Sequence, residues 1–245
     1  MEPIRISKYF TDCGVMSRRA ADTAVERGEV KVNGITAELG QKVTPGVDVV
    51  TWKGKKIVLP ATTAKLTVML NKPRGYLTTL SDDKGRHTVA ELVADAGVRL
   101  YPVGRLDMDS DGLLLLTNDG DLSHRLLSPR HHVEKRYAYT CKLPLLPEDI
   151  EQLEAGVELE DGYTTKPARM IAEAESQSGI IVLTEGKYHQ IKRMFEAVGN
   201  KILSLERITF GPLTLDPSLE RGEWRYLTED EIAALQSGVK GVDEP

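Results

Sequence analysis

The stretch Gly104-Arg105-Leu106-Asp107-Met108-Asp109-Ser110-Asp111-Gly112-Leu113-Leu114-Leu115-Leu116 joins a highly charged turn to an unbroken apolar run. Four consecutive leucines bounded by turn residues read as a buried strand. Upstream, Leu100-Tyr101-Pro102-Val103 reads as a short extended segment. A carboxylate, a guanidinium and two glycines are thus pressed against a core. Asp107 sits where a carboxylate can be held rigidly and partly dried, a setting that catalysis needs and a solvated loop does not supply.

Two other readings compete for that turn. Asp107-x-Asp109-x-Asp111-Gly112 matches the opening of a calcium-binding loop, but the twelfth position is Asn118 instead of the required glutamate. Leu113–Leu116 is also strand-like where that motif needs a helix, so no metal is expected. Asp107 can equally be structural, pairing with Arg105 or capping a turn. Its neighbours alone leave that reading open beside a nucleophile or general base.

Working outward, Thr67–Leu70 reads as a strand ending at Asn71-Lys72-Pro73, and Thr88–Ala96 as a helix stopped by Gly97. Lys135–Lys142 alternates toward a strand, Pro147–Ala155 is helical before Gly156, and Gly179–Thr184 is a buried strand. Tyr188–Val198 is a helix closed by Gly199-Asn200, and Leu203–Ile208 is another strand. Strands and helices mix without regular βαβ alternation, which predicts an α+β fold with a mixed, mostly antiparallel sheet. No internal repeat is visible.

The first sixty residues differ in pattern. Ile4–Asp12 reads as a helix with Ile6, Tyr9 and Phe10 inward, stopped by Gly14. A second helix is capped by Ser17 and runs to about Arg27, before Gly28. Asn33-Gly34 between Val30-Lys31-Val32 and Ile35 is a hairpin signal, and Pro45-Gly46 is a further turn before Val47–Val50. The expected organisation is a helix–helix–hairpin domain over 1–60, a linker over 61–66, a larger domain over 67–236 and a frayed tail over 237–245.

Net charge is −5, which alone argues against a nucleic-acid partner. Its distribution argues otherwise: residues 1–60 carry ten Lys/Arg against seven Asp/Glu, whereas the remainder carries 22 against 30. A basic small domain on an acidic body suggests that polyanion binding is delegated to one end. Arg18 and Arg19 lie in the first turn of the second helix, where the dipole disfavours cations. Asp22 is placed to offset this in part. With Arg5, Lys8, Arg27 and Lys31 these arginines are candidates to face phosphate. No apolar run reaches the ~20 residues that span a bilayer, and Met1–Arg5 lacks a signal-peptide core. Cys13 and Cys141 match no metal or redox spacing and read as buried free thiols.

Two further stretches carry candidate chemistry. In Glu185–Val198, helical spacing sets Ile191, Met194, Phe195 and Val198 on one face and His189, Lys192, Arg193 and Glu196 on the other. One of those cations could pair with Asp107. In Ser128–Tyr137, His131 and His132 are adjacent and therefore a poor metal pair. Tyr137 is either a plain strand aromatic or a ring that stacks on a base.

Taken in order, Gly104-Arg105-Leu106-Asp107 with Ser110–Leu115, Thr117-Asn118-Asp119-Gly120, Asn71-Lys72-Pro73, Glu134-Lys135-Arg136-Tyr137 and Gly186–Phe195 resemble the signature of the RsuA-type ribosomal RNA pseudouridine synthases. Ser17-Arg18-Arg19-Ala20 and Val30–Gly34 resemble a small RNA-binding domain first seen in a ribosomal small-subunit protein. The resemblance covers nearly the whole chain and implies conversion of uridine to pseudouridine in ribosomal RNA, without cofactor or metal.

By that resemblance Asp107 is the catalytic aspartate, acting as nucleophile or by deprotonating the sugar at C2′. Tyr137 is the active-site tyrosine, and Lys192 pairs with the aspartate where many relatives have arginine. Arg105 contacts RNA and helps hold the place of the flipped nucleotide, and Ile191 lines the uracil pocket. His189 and Arg193 are further substrate contacts, and Arg5, Lys8, Arg18, Arg19 and Lys31 bind RNA phosphate. Pro129-Arg130-His131-His132, Thr165–Ala168 and Gly186–Gln190 are similar to the members that modify 16S rRNA. The expected partner is ribosomal RNA, as such or in a partly assembled small-subunit particle, for a cytoplasmic monomer without membrane contact. The alternatives are a synthase acting on large-subunit rRNA and a non-catalytic RNA-binding assembly factor.

Overall fold

The structure is a computed structural model that describes residues 2–59, 64–172 and 175–240. The chain divides into two compact units, Met1–Ala64 and Lys65–Pro245. Part of the expected linker, with Pro60–Thr63, lies outside the described residues, as do residues 241–245 of the expected tail.

The first unit begins with a two-residue strand, β1 (Ile4–Arg5), where a helix was expected, and then α1 (Ile6–Asp12) and α2 (Arg18–Glu26). Ser17 accepts a hydrogen bond from the Ala20 N–H at 3.2 Å, the capping its position predicts. β2 (Val30–Val32) and β3 (Ile35–Thr36) form the hairpin, with Asn33 and Gly34 both at positive φ. β4 (Lys42–Val43) pairs with β1, and β5 (Val50–Trp52) lies between β2 and β6 (Lys55–Ile57). Val47 and Asp48 extend the Pro45-Gly46 turn, and the Asp48 carboxylate accepts from the Thr44 N–H. Ile6, Phe10, Ala21, Val25, Val30 and Val50 form this unit's core. Cys13 is only half-buried, against expectation.

The second unit is built on one large sheet. Its elements in chain order are β7 (Thr67–Lys72), α3 (Val89–Leu92), β8 (Tyr101–Pro102), β9 (Asp111–Thr117), α4 (Gly120–Leu127), β10 (Lys135–Cys141) and α5 (Pro147–Ala155). There follow β11 (Arg169–Ile171), β12 (Ser178–Leu183), α6 (Gln190–Ala197), β13 (Ile202–Phe210), β14 (Leu213–Thr214), β15 (Trp224–Tyr226) and α7 (Glu229–Lys240). Strand order is β11-β12-β10-β13-β9-β7-β15, with β8 and β14 paired off this path. β13 and β9 are parallel, and the other pairings among the described strands are antiparallel. The mixed, mostly antiparallel sheet is as expected.

The leucine run is unbroken because β9 is buried on both faces. Alternation sends Leu114 and Leu116 into a core with Val68, Leu70, Ile181, Met194 and Phe195, while Leu113 and Leu115 join Met69, Leu122, Leu126 and Leu235. The second of these cores needs α4 and α7, two helices that pattern reading passed over. Asp119 caps α4 by accepting from the Asp121 and Leu122 N–H groups. Residues 237–240, placed by the sequence in the tail, continue α7 as far as Lys240. Its first turn is acidic, which suits the helix dipole, and Leu235 is fully buried. The predicted helix over Thr88–Ala96 is shorter: after Leu92 it tightens to a 3-10 turn closed by Gly97.

Gly112 is the residue that lets β9 meet β13. It has φ of +97°, and a Cβ there would fall on the Arg207 carbonyl oxygen and within 2.9 Å of the Arg207 nitrogen. Gly112→Ala should therefore break the parallel pairing and destabilise the second unit by about 3 kcal/mol or more, measured as a lowered urea midpoint.

Candidate active site

The turn that carries Asp107 is clamped from beneath. Lys72, at the end of β7 and fully buried, donates from Nζ to the carbonyl oxygens of Pro73 (3.0 Å), Asp107 (3.0 Å) and Ser110 (2.8 Å). Thr78 adds a second clamp: its hydroxyl donates to the Leu106 carbonyl at 2.6 Å and accepts from the Leu106 N–H at 3.2 Å. The backbone around Asp107 is thereby fixed before any substrate arrives, and its side chain is left at the surface of a cleft. Burial pushes the Lys72 amine down to about 8, against the pull of the Asp111 and Asp107 charges. It still carries its proton at neutral pH, which its three carbonyl partners require.

Above the turn stands α6. Lys192 lies one turn into it and brings Nζ to 2.8 Å from Asp107 Oδ2 and 2.5 Å from Asp109 Oδ1. The expected pairing of Asp107 with a cation from this helix is present, and its partner is Lys192 rather than Arg105. The second carboxylate was not anticipated. Partial burial works against the charge of both Asp109 and Lys192, and the hydrogen bonds between them outweigh it. The Asp109 carboxyl consequently lies below its usual range and the Lys192 ammonium above its own.

His189, in a left-handed conformation at the start of α6, sets Nε2 3.6 Å from Asp107 Oδ1 and stacks on Tyr188, with ring centroids 3.9 Å apart. That conformation is why the helix begins at Gln190 rather than Tyr188.

These groups line one cleft of about 550 Å³, a size suited to a nucleoside. Asp107, Tyr137, Lys192, Arg105, His189 and Ile191 all face it, brought there from the β8–β9 turn, β10 and α6. Tyr137 and Ile191 are almost wholly buried and supply the apolar wall, whereas Arg105 is exposed at the rim and forms no ion pair among the described residues. Arg193 does not line the cleft. It is held by Glu160 (3.1 Å) and Asp161 (2.7 Å) on the other side of α6. Asp111 also points elsewhere, toward Arg74 (3.0 Å) and Arg221 (3.3 Å). Among the described residues no group of three His, Cys, Asp or Glu side chains is placed to hold a metal ion.

The opposite rim joins segments distant in sequence. Lys166 Nζ meets His132 Nδ1 at 3.2 Å, and the Lys166 N–H donates to Glu185, which also accepts from Tyr163 and Gln190. Glu185 thus organises this rim, a role the sequence did not suggest.

In the first unit, Arg5, Arg18, Arg19 and Lys31 are exposed and free of ion pairs among the described residues. Asp22 does not pair with Arg18, so the helix-start misfit stays uncompensated. Lys8 differs, being tied to Asp12 at 2.8 Å.

Residues 66–197 match the family model described as RNA pseudouridylate synthase. The chain belongs to that family. Its members are isomerases, and so is this protein. A Bacillus subtilis protein described as an uncharacterised RNA pseudouridine synthase is 40% identical over 95% of this chain and 98% of its own length. The ribosomal large subunit pseudouridine synthase B of Bacillus subtilis is 38% identical, covering 95% of this chain and 96% of its own. The ribosomal small subunit pseudouridine synthase A of Vibrio cholerae is 36% identical, covering 95% and 99%. A crystal structure of a pseudouridylate synthase superposes with a TM-score of 0.69 at 34% identity, covering 95% of this chain and 99% of that one.

The Lys72 clamp also affects stability. Lys72→Met would strand three carbonyls and is expected to cost about 3–5 kcal/mol. Below about pH 8 both folded and unfolded wild type carry the Lys72 proton. Between about 8 and the amine's ordinary value near 10.5 the unfolded chain keeps a proton that the folded chain sheds. Stability therefore rises with pH in that window for wild type relative to Lys72→Met, by about 1–3 kcal/mol. Urea unfolding of both proteins from pH 7 to 10 measures the gap.

Proposed function

We propose that this chain converts a uridine of ribosomal RNA to pseudouridine, with Asp107 as the group that opens the nucleoside. The observation that carries the reading is the Asp107–Lys192 ion pair on a clamped turn, facing Tyr137 across a nucleoside-sized cleft. The target base leaves its stack, at a cost of a few kcal/mol, and enters with Tyr137 and Ile191 as its apolar wall. The Asp107 carboxylate, held by Lys192, attacks the nucleoside or removes the C2′ proton. The C1′–N1 bond breaks and the base turns; C5 then bonds to C1′ as the Asp107–sugar bond breaks or, in the other route, as Asp107 returns the proton to C2′, and the C5 proton is lost while N1 gains one. Arg105, exposed at the rim and without an ion pair among the described residues, takes the place the base leaves or a neighbouring phosphate. His189 positions Asp107.

The proposed target is small-subunit rRNA. The stretches that suggest it, around Pro129–His132, Thr165–Ala168 and Gly186–Gln190, meet on one rim through the Lys166–His132 contact, the Lys166–Glu185 hydrogen bond and the cleft wall. A shared rim is where differences between substrates would be read. The large-subunit reading is the rival, because relatives bearing either name match this chain almost equally. The proposed setting is the cytoplasm, with a monomer acting on rRNA alone or within a partly assembled particle. The first unit is proposed as the RNA-anchoring domain, with Arg5, Arg18, Arg19 and Lys31 on phosphate and Lys8 available only by leaving Asp12.

Pseudouridine mapping across both rRNAs, with the gene present, deleted, or encoding Asp107→Asn, tests this reading. One small-subunit position should lose the modification in both altered strains, while purified Asp107→Asn binds the RNA nearly as well as wild type. Normal modification by Asp107→Asn would sink the mechanism, and a lost large-subunit site would reassign the target.

Arg18→Ala combined with Arg19→Ala should weaken RNA binding and flatten the dependence of log Kd on log salt by about 1–2 units. A titration series from 50 to about 200 mM salt reads the slope.

A further inference from the structure

A pair of cations in the cleft has no part in the mechanism so far. Lys135 opens β10 two residues before Tyr137, and Arg207 lies on the neighbouring strand β13. A register shift between Arg136 and Tyr137 sets Tyr137 opposite Arg207 and Lys135 opposite Phe210. The two cations share the Phe210 ring, with Lys135 Nζ 5.5 Å and the Arg207 guanidinium 5.3 Å from its centroid. Both line the cleft that contains Asp107.

Neither cation is neutralised by an ion pair among the described residues. Arg207 is 2% exposed. Its Nε donates to the Leu113 carbonyl at 2.7 Å, while its buried Nη2 has no hydrogen-bond partner. Lys135 donates once, to the Val133 carbonyl at 2.8 Å. Burial, then the Arg207 charge, push its amine down to about 8, with the Glu185 charge opposing more weakly. Glu185 itself is engaged by Tyr163, Gln190 and the Lys166 N–H. Two cations dried without counter-ions are costly, and the face of one aromatic ring offsets only part of that. Such an arrangement gains by meeting negative charge that is present for only part of the cycle.

The proposed reaction creates such a charge. When C1′–N1 breaks, the bonding pair stays with the base, and uracil carries a negative charge spread over N1, O2 and O4. When C5 then bonds to C1′, displacing the Asp107 oxygen or as Asp107 returns the C2′ proton, the pair is used; the C5 proton is lost and N1 takes one up. We propose that Lys135 and Arg207 form the anion site that holds the uracil base while it bears this charge, touching a carbonyl oxygen of the base beside Tyr137. The inference rests on the Asp107 reading above and deepens it. Preformed donors in a dried site are worth most where charge develops. A phosphate contact is disfavoured, because both cations lie against the buried Tyr137 and not on the exposed rim with Arg105.

The test uses the full chain in single turnover at saturating enzyme. One RNA fragment carries the target uridine and a second carries 5-fluorouridine there, whose ring bears negative charge more readily. Conversion of the N-glycoside is followed by nucleoside analysis. Lys135→Met should slow the uridine reaction about 10²–10³-fold, leave Kd within about twofold, and slow the fluorinated substrate at least about tenfold less. Lys135→Arg, which keeps the charge, should recover most of the rate. Should Lys135→Met fail to fold by circular dichroism, Lys135→Gln takes its place with the same expectations. Equal slowing of both substrates would overturn the anion site, leaving a structural role. So would a raised Kd with a flatter salt slope and an unchanged rate, which is the signature of a phosphate contact. A wild type that rearranges neither fragment would overturn the Asp107 reading as well.

Discussion

The turn that carries Asp107 depends on one buried ammonium. Lys72 Nζ gathers the carbonyls of Pro73, Asp107 and Ser110, and so ties the end of β7 to the start of β9. A lysine is fully buried at a cost of several kcal/mol unless its donors are matched. Here each of its three N–H groups has an acceptor. The result is a turn whose backbone cannot follow its side chains. Asp107 is aimed by the scaffold and not by the substrate, which is how a carboxylate is held to the tolerance that reaction geometry demands.

Charge around that turn is sorted by direction. Asp107 and Asp109 share Lys192, while Asp111, two residues on, is turned away to Arg74 and Arg221. Three alternate aspartates that mimic a calcium loop are thus distributed between two cation sets on different sides of a strand. On the far wall Lys135 and Arg207 remain without carboxylates. The cleft therefore has an acidic side, paired with one lysine, and a cationic side that has no ion-pair partner among the described residues.

Much of this was legible in the sequence, because local rules are strong where one residue type decides. Ser17, Asn33-Gly34 and Pro147 each set an element boundary by backbone chemistry, and the structure keeps all three. The leucine run gave the buried central strand but not which leucine joins which core, because alternation is invisible when both faces are apolar. The helices α4 and α7 were missed for a related reason. Their apolar residues are few, and they are helical because β9 exposes Leu113 and Leu115 to be covered.

At the site, Asp107, Tyr137 and Lys192 were found by motif, and the structure brings them to one cleft. Asp109, Glu185 and Arg207 were not, since each takes its place from a partner far along the chain. Lys72 and Lys135 stood inside quoted motifs, and only burial set them apart from ordinary surface lysines.

The parallel pairing of β9 with β13 has a consequence for how the chain reaches its working state. Arg207 bonds to Leu113 across 94 residues of sequence, and Lys192 to Asp107 across 85. The Lys72 clamp spans 35. Contacts between residues so far apart close late, because the loop entropy they bear must first be offset by more local structure. The antiparallel β7–β9 pair and its clamp can therefore form while β10 to β13 are still being made. The ion pair and the cationic wall cannot. On a ribosome synthesising this protein, a partly emerged chain could hold the turn in shape yet have no cleft, so the chemistry is withheld until the second unit is complete.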